Sequence, residues 1–228
     1  MSLTTGRGPL SAQPAGRFSA PMPEGVVYVE PFPRRVRGLI GDAVVVESEQ
    51  VLLVHRAGSP PTYAFPVAAV HDPALPTAPE PSAEGHVTVA WGAVDAWFEE
   101  DEEVFGHPRN PYHRVDCVPT SRRLRVEVAR TVVVDTTATT GVYETALAPR
   151  LYVDRSAVRS ARLAPSSSTS YCPYKGTATW WDLELGDTVV HDAAWSYDDP
   201  LPESLSIRGL LAFDEARVGV TADLPPST

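Results

Sequence analysis

The stretch "YCPYKG", Tyr171 to Gly176, sets a thiol and an ammonium three residues apart, Cys172 and Lys175, around a proline and a glycine. Pro173 and Gly176 favour a tight turn that keeps the two groups close. A nearby ammonium lowers a thiol's pKa and activates it as a nucleophile, whereas a cysteine with no such partner most often packs as a small hydrophobe. Lys175 is also the only lysine: of the nineteen Lys and Arg residues every other one is Arg. In a chain rich in Ala, Pro and Arg, exchangeable lysines drift to arginine. A surviving lysine therefore marks a place that needs a compact ammonium rather than a planar guanidinium, or a surface position that simply kept its residue.

Further on, "AWSYDDP" joins Trp195 and Tyr197 to Asp198 and Asp199. These residues read either as a stacking platform beside a general base or as a core tryptophan followed by a capping acid. The hydroxyls of Ser166 to Tyr171 either bind a polar ligand or cap turns. In the first half, the acidic run Glu99 to Glu103 precedes His107 and His113. Two histidines six apart with proline between them match no metal-ligand spacing, and an acidic run is usually a solvated edge. No metal site is assigned, and the residues point to no particular cofactor.

The whole chain narrows the function classes. Its net charge of -10 over 228 residues argues against nucleic acid, whose binding depends on dense positive charge. Two cysteines, Cys117 and Cys172, make no disulfide framework, and no long apolar run suggests a membrane span. A cytoplasmic protein with no membrane partner is expected.

What positions the candidate residues is a repeat. Adding 88 to positions 35–70 gives 123–158 without a gap, with nine identities including Arg35/Arg123, Arg37/Arg125 and Val44–Val46 against Val132–Val134. Chance alone would give roughly two or three. Each copy opens with strand alternation, as in Leu124, Val126 and Val128 against Arg123, Arg125 and Glu127. Gly186-Asp187 reads as a hairpin turn, and "TYAFPVAAV" and "LYVDRSAV" as short strands running into turns. Pro202 to Val218 is the helix candidate, and Asp72 to Glu84 a Pro/Ala loop. The expected fold is mainly β: two tandem antiparallel modules at 26–118 and 119–222, a flexible arm at 1–25, a tail at 223–228 and a short C-terminal helix.

The copies differ where chemistry would sit. The first has no counterpart of Cys172 or Lys175, and Arg150, Arg155 and Arg159 face Thr62, Val67 and His71. Its Ala96-Trp97 is aligned with Ala194-Trp195. The second copy reads as the ligand-binding one and the first as a scaffold or lid.

The blocks "RRLRVEVARTVVVD", "ETALAPRLYVDRSAV", "CPYKGTATWW" and "DAAWSYDDPLPE", in that order, resemble the domain of unknown function 427 family, sometimes labelled nucleotidyltransferase-like. The likeness covers about Arg122 to Val218, and the first half looks like the partner copy of tandem members typical of actinobacteria. It implies a compact β fold of the Mss4-like, or β-tent, kind and no general activity. Many members carry a histidine just before the cysteine. Tyr171 stands there instead, which leaves Lys175 as the better-placed activating group. Zinc-binding Mss4-like relatives use two pairs of cysteines, which this module does not have.

The expectation is a pocket for a small polar or anionic ligand in the second module, lined by Arg150, Tyr152, Cys172, Tyr174, Lys175, Trp195 and Tyr197. For an enzyme, Lys175 would stabilise an anion or act as general acid, Cys172 would supply thiol chemistry, and Asp198 would be the base. The competing class is a non-catalytic interaction module, in which the thiol is buried and Lys175 sits in a salt bridge.

Overall fold

The computed structural model describes residues 13–14, 16–21, 23–145 and 147–224. The arm expected at 1–25 falls half outside these residues, as does most of the tail at 223–228. The chain is mainly antiparallel β and divides into two compact units, 1–113 and 114–228. Among the described residues no helix is long and apolar enough to cross a membrane.

The first unit contains β1 (Val27–Phe32), β2 (Val36–Ile40), β3 (Ala43–Ser48), β4 (Val51–Arg56), β5 (Thr62–Pro66), β6 (Thr77–Pro79), β7 (His86–Val89), β8 (Ala96–Glu99) and β9 (Glu102–Val104). The second contains β10 (Val115–Thr120), β11 (Leu124–Val128), β12 (Thr131–Thr136), β13 (Thr139–Glu144), β14 (Arg150–Val153), β15 (Arg162–Cys172), β16 (Gly176–Leu185), β17 (Thr188–Ser196), β18 (Leu211–Phe213) and β19 (Gly219–Ala222). In the first unit a sheet ordered β1-β4-β5-β7-β6 accompanies one ordered β3-β2-β8-β9. The second unit repeats the plan with β10-β13-β14-β18-β17-β16-β15 and β12-β11-β19.

The offset of 88 carries strands β1 to β4 onto β10 to β13 residue for residue. Even the irregularity is shared. Gly38 pairs with Val46 and Leu39 with Val44, as Val126 pairs with Val134 and Glu127 with Val132, so each unit has a bulge at the same place. Strand β10 pairs with β13 from Val115 onward, which puts residues 115–118 in the second unit rather than in the first module as expected.

Three other expectations change. Trp97 pairs with Gly38 in the smaller sheet, whereas Trp195 pairs with Ala212 in the larger one, so the two Ala-Trp pairs are not equivalent. The counterpart of β8 is β19, whose Val220 pairs with Val126. The Pro/Ala loop holds an edge strand, β6, and buries Leu75, Glu80 and Ala83. Prolines are tolerated on an edge because their missing N–H interrupts no ladder. The helix candidate is a 3-10 turn over Pro202–Ile207 only. Gly209, at φ +70°, turns the chain, and Leu211–Phe213 become strand β18 between β14 and β17, buried at every residue. A short, wholly apolar run has no period that separates a central strand from a helix.

Alternation along the larger sheet of the second unit gives its faces different work. Leu151, Val153, Ala194, Leu211 and Phe213 join Leu124, Val126 and Val134 of the smaller sheet in one core. Their neighbours Tyr152 and Ala212 belong to a second cluster with Val142, Tyr174 and Tyr197. Leu211→Ala should lower the unfolding free energy by about 2–5 kcal/mol in urea denaturation, the range for emptying a buried leucine site. Leu205→Ala, in the 3-10 turn and half exposed, should stay within about 0.5 kcal/mol of wild type.

Candidate functional site

Strand periodicity assembles the site. Val142 and Glu144 lie two apart on β13, Arg150 and Tyr152 two apart on β14, and Trp195 and Tyr197 two apart at the end of β17. Residues two apart share a face, and cross-strand pairing of Val142 with Arg150 and of Trp180 with Trp195 brings the strands' contributions together. Strands β15 and β16, which have no counterpart in the first unit's larger sheet, add the hairpin that carries Lys175. Its turn is Pro173-Tyr174-Lys175, closed by the Cys172–Gly176 pair and by Lys175 N–H donating to the Cys172 carbonyl at 3.2 Å. Gly176 has φ +92°, which explains the glycine.

These elements enclose a cavity of about 480 Å³. At its wall Lys175 Nζ forms an ion pair with Glu144, the two side chains being only 8% and 10% exposed. The ammonium also lies 6.0 Å from the centre of the Tyr197 ring. Arg150 spreads its guanidinium over Trp195 at 4.9 Å and donates to the Phe213 carbonyl at 3.0 Å. Trp195 Nε1–H donates to the Tyr152 hydroxyl at 3.1 Å, and Trp180 Nε1–H to Ser170 Oγ at 3.1 Å. The two indoles are 5.2 Å apart between centroids. Burial pushes the Tyr152 and Tyr197 phenols well above their ordinary pKa, so both stay neutral. Chemically this is an aromatic cleft with two cations and one carboxylate at its margin.

Of the residues expected at the site, Arg150, Tyr152, Lys175, Trp195 and Tyr197 line the cavity together. Tyr174 is buried in the cluster beneath. Cys172 packs partly buried against the same cluster, with Sγ 4.0 Å from Glu144 Oε1. Asp198 is turned to a different set of partners, pairing with Arg155 and accepting from Ser196 Oγ at 3.0 Å. Arg155 itself covers Trp181 at 4.3 Å, so it is not one of the cavity's cations. The other thiol, Cys117, is raised by burial, against an opposing pull from the Lys175 ammonium.

The acidic run of the first unit is partly internal. Glu99 is buried, paired with Arg34 and accepting from the Tyr63 hydroxyl at 2.6 Å. Asp101 pairs with Arg35 and Arg37, and Glu102 with Arg109 at 2.6 Å. Among the described residues no three His, Cys, Asp or Glu side chains are grouped as a metal would need.

Glu144 is the residue that sequence reasoning missed. The gapless offset sets it opposite Arg56, a reversal of charge at a matched strand end. That position carries an ion pair in both units: Arg56 holds Glu80 through two contacts of 2.6 Å. Burial would raise the Glu80 carboxyl, but hydrogen bonds from Arg56 and Ser82 outweigh it and hold the pKa below its ordinary value. Trp180 was also missed, hidden in an apolar "TWW" whose faces only the pairing with β17 distinguishes.

Residues 116–224 match the model of a family described as a domain of unknown function, DUF427. No curated protein matches the chain. The DUF427 match starts inside β10 and ends past β19, so it spans the unit that carries the Lys175–Glu144 pair and leaves out the first unit.

Removing one partner of a buried ion pair leaves an uncompensated charge. Lys175→Met should therefore cost about 3–5 kcal/mol in urea denaturation. The double variant Lys175→Met/Glu144→Gln should recover a large part of that loss. Gly176→Ala should destabilise by about 1–2 kcal/mol in the same assay, since its φ disfavours a side chain.

Proposed function

We propose that the second unit binds a small ligand combining a planar ring with an anionic group, and that the Lys175–Glu144 pair is the polar end of its site. The observation that supports this most is the pair's location, in the wall of an open cavity between Tyr197 and two tryptophans. A buried ion pair seldom stabilises a fold more than apolar residues of the same volume would, so its presence favours a functional reason. The indoles offer a surface for a flat ring. Arg150, placed over Trp195, supplies a second cation for an anionic substituent.

If the site is catalytic, Glu144 is the acid–base group and Lys175 the electrostatic one, because both reach the cavity and Asp198 does not line it. Metal-dependent nucleotidyl transfer fits poorly. It needs paired carboxylates, and Glu144 is the only Asp or Glu among the described lining residues and is already engaged by Lys175. The first unit, with the same strand registers at an offset of 88, is read as a diverged copy of the same domain. A cytoplasmic setting agrees with two free thiols, Cys117 and Cys172. The second reading, a non-catalytic interaction module, draws on the engagement of Lys175 in a salt bridge and on the packing of Cys172 against the core.

A thermal-shift screen of the full chain against aromatic carboxylates and mononucleotides separates the two. Ligands that bind only the folded protein raise its melting temperature. Stabilisation by a ring-plus-anion compound that disappears in both Arg150→Ala and Trp195→Ala, and persists in Asp198→Asn, supports the small-ligand site. A flat response of the wild type across both compound classes favours the interaction module.

A further inference from the structure

The first unit has a cavity of its own, about 520 Å³, in register with the site of the second. Four wall positions are equivalent. Ser59, Pro60 and Thr62 match Leu147, Ala148 and Arg150 by the offset of 88. The fourth follows from strand pairing: Phe65–Val87–Pro79 in the first unit corresponds to Val153–Leu211–Ser196 in the second, which makes Ala78 the counterpart of Trp195. At these positions the arginine has become threonine and the tryptophan alanine. The two groups that would hold an anion and a ring in the second unit are therefore gone, and space is opened.

Other aromatics supply the wall. Trp91 and Trp97 are stacked with centroids 5.5 Å apart and an angle of 28°, and Tyr63 lies 5.7 Å from Trp97 and 6.3 Å from Trp91. These rings are fixed before any ligand arrives. Trp97 Nε1–H donates to the Trp91 carbonyl at 2.9 Å, and the Tyr63 hydroxyl is tied to buried Glu99. Among the described lining residues none is Lys, Arg, Asp or Glu. Imidazole is the one titratable group on the wall besides the phenol: His107 holds its Nδ1 at 2.7 Å from the Pro108 carbonyl, and burial lowers its pKa and keeps it neutral.

We infer that the first unit is a second binding site, selective for an uncharged planar aromatic molecule of two or three fused rings. A cavity of roughly 150 Å³ already accepts one benzene ring, so this volume holds more than one. An ionised ligand would lose its hydration with no opposite charge in the wall to replace it, which excludes the compounds the second unit is built for. The first unit is then a receptor with altered selectivity and not a bare scaffold.

The test uses the full chain and saturation-transfer NMR with two probes, indole and indole-3-carboxylate. Indole should receive saturation from the wild type. Its dissociation constant should rise about tenfold in Trp91→Ala, the size of one aromatic contact with its burial. Filling the cavity with Ala78→Trp, an exposed edge-strand position, should abolish binding, while Thr62→Arg should turn the preference toward indole-3-carboxylate. Arg150→Ala, in the other unit, should leave indole binding unchanged. Absence of transfer to indole at millimolar concentration overturns the inference. So does transfer that survives both Trp91→Ala and Ala78→Trp, or that is lost in Arg150→Ala. Because the two sites are probed by separate variants, failure here is distinct from failure of the second unit's reading.

Discussion

A strand residue can serve only one face of its sheet, and this constraint governs the second unit. Along β14 the side chains of Leu151 and Val153 go to the core shared with the smaller sheet, so those of Arg150 and Tyr152 must go to the other side. Ala194 and Trp195 divide in the same way on β17. A one-residue slip of any of these strands would exchange core for cavity. The apolar core thus holds the register on which the cleft depends.

The lone lysine has a physical role within that frame. The hairpin turn delivers an ammonium to the Glu144 carboxylate beside the Tyr197 ring, where both side chains of the ion pair are almost fully enclosed. The equivalent strand end in the first unit makes the contrast. Arg56 there reaches across to a carboxylate that accepts both of its contacts, and its side chain stays partly exposed. The matched strand end thus carries an arginine in the first unit and a carboxylate in the second, where the cation comes instead from a hairpin that the first unit's larger sheet does not have.

Much of this was legible beforehand, for reasons that can be named. The repeat was visible because bulges, turns and buried valines restrict residue choice at every copy of a register. The Gly186-Asp187 turn and the tight turn at Cys172–Gly176 were visible because turn chemistry is local. Arg150, Tyr152, Trp195 and Tyr197 could be grouped by residue type, a cation absent from the matched first-copy position together with aromatics able to stack on a planar ligand. Glu144 was not singled out because a carboxylate at a strand end has no local signature of the cation it meets, here one 31 residues away. Strand β18 carries no strand signature in the sequence because its burial at every residue removes the alternation that marks a strand.

The sequence by itself determined the β class, the matching of the two halves at an offset of 88 and the turns, since each follows from local conformational preference and the spacing of apolar residues. Only the tertiary structure decided that Lys175 and Glu144 are partners, that Asp198 belongs to Arg155, and that Ala78 stands where Trp195 does. Those relations arise where strands distant in sequence are set side by side. Which strand neighbours which is chosen by burial of the whole core and not by any segment's own pattern.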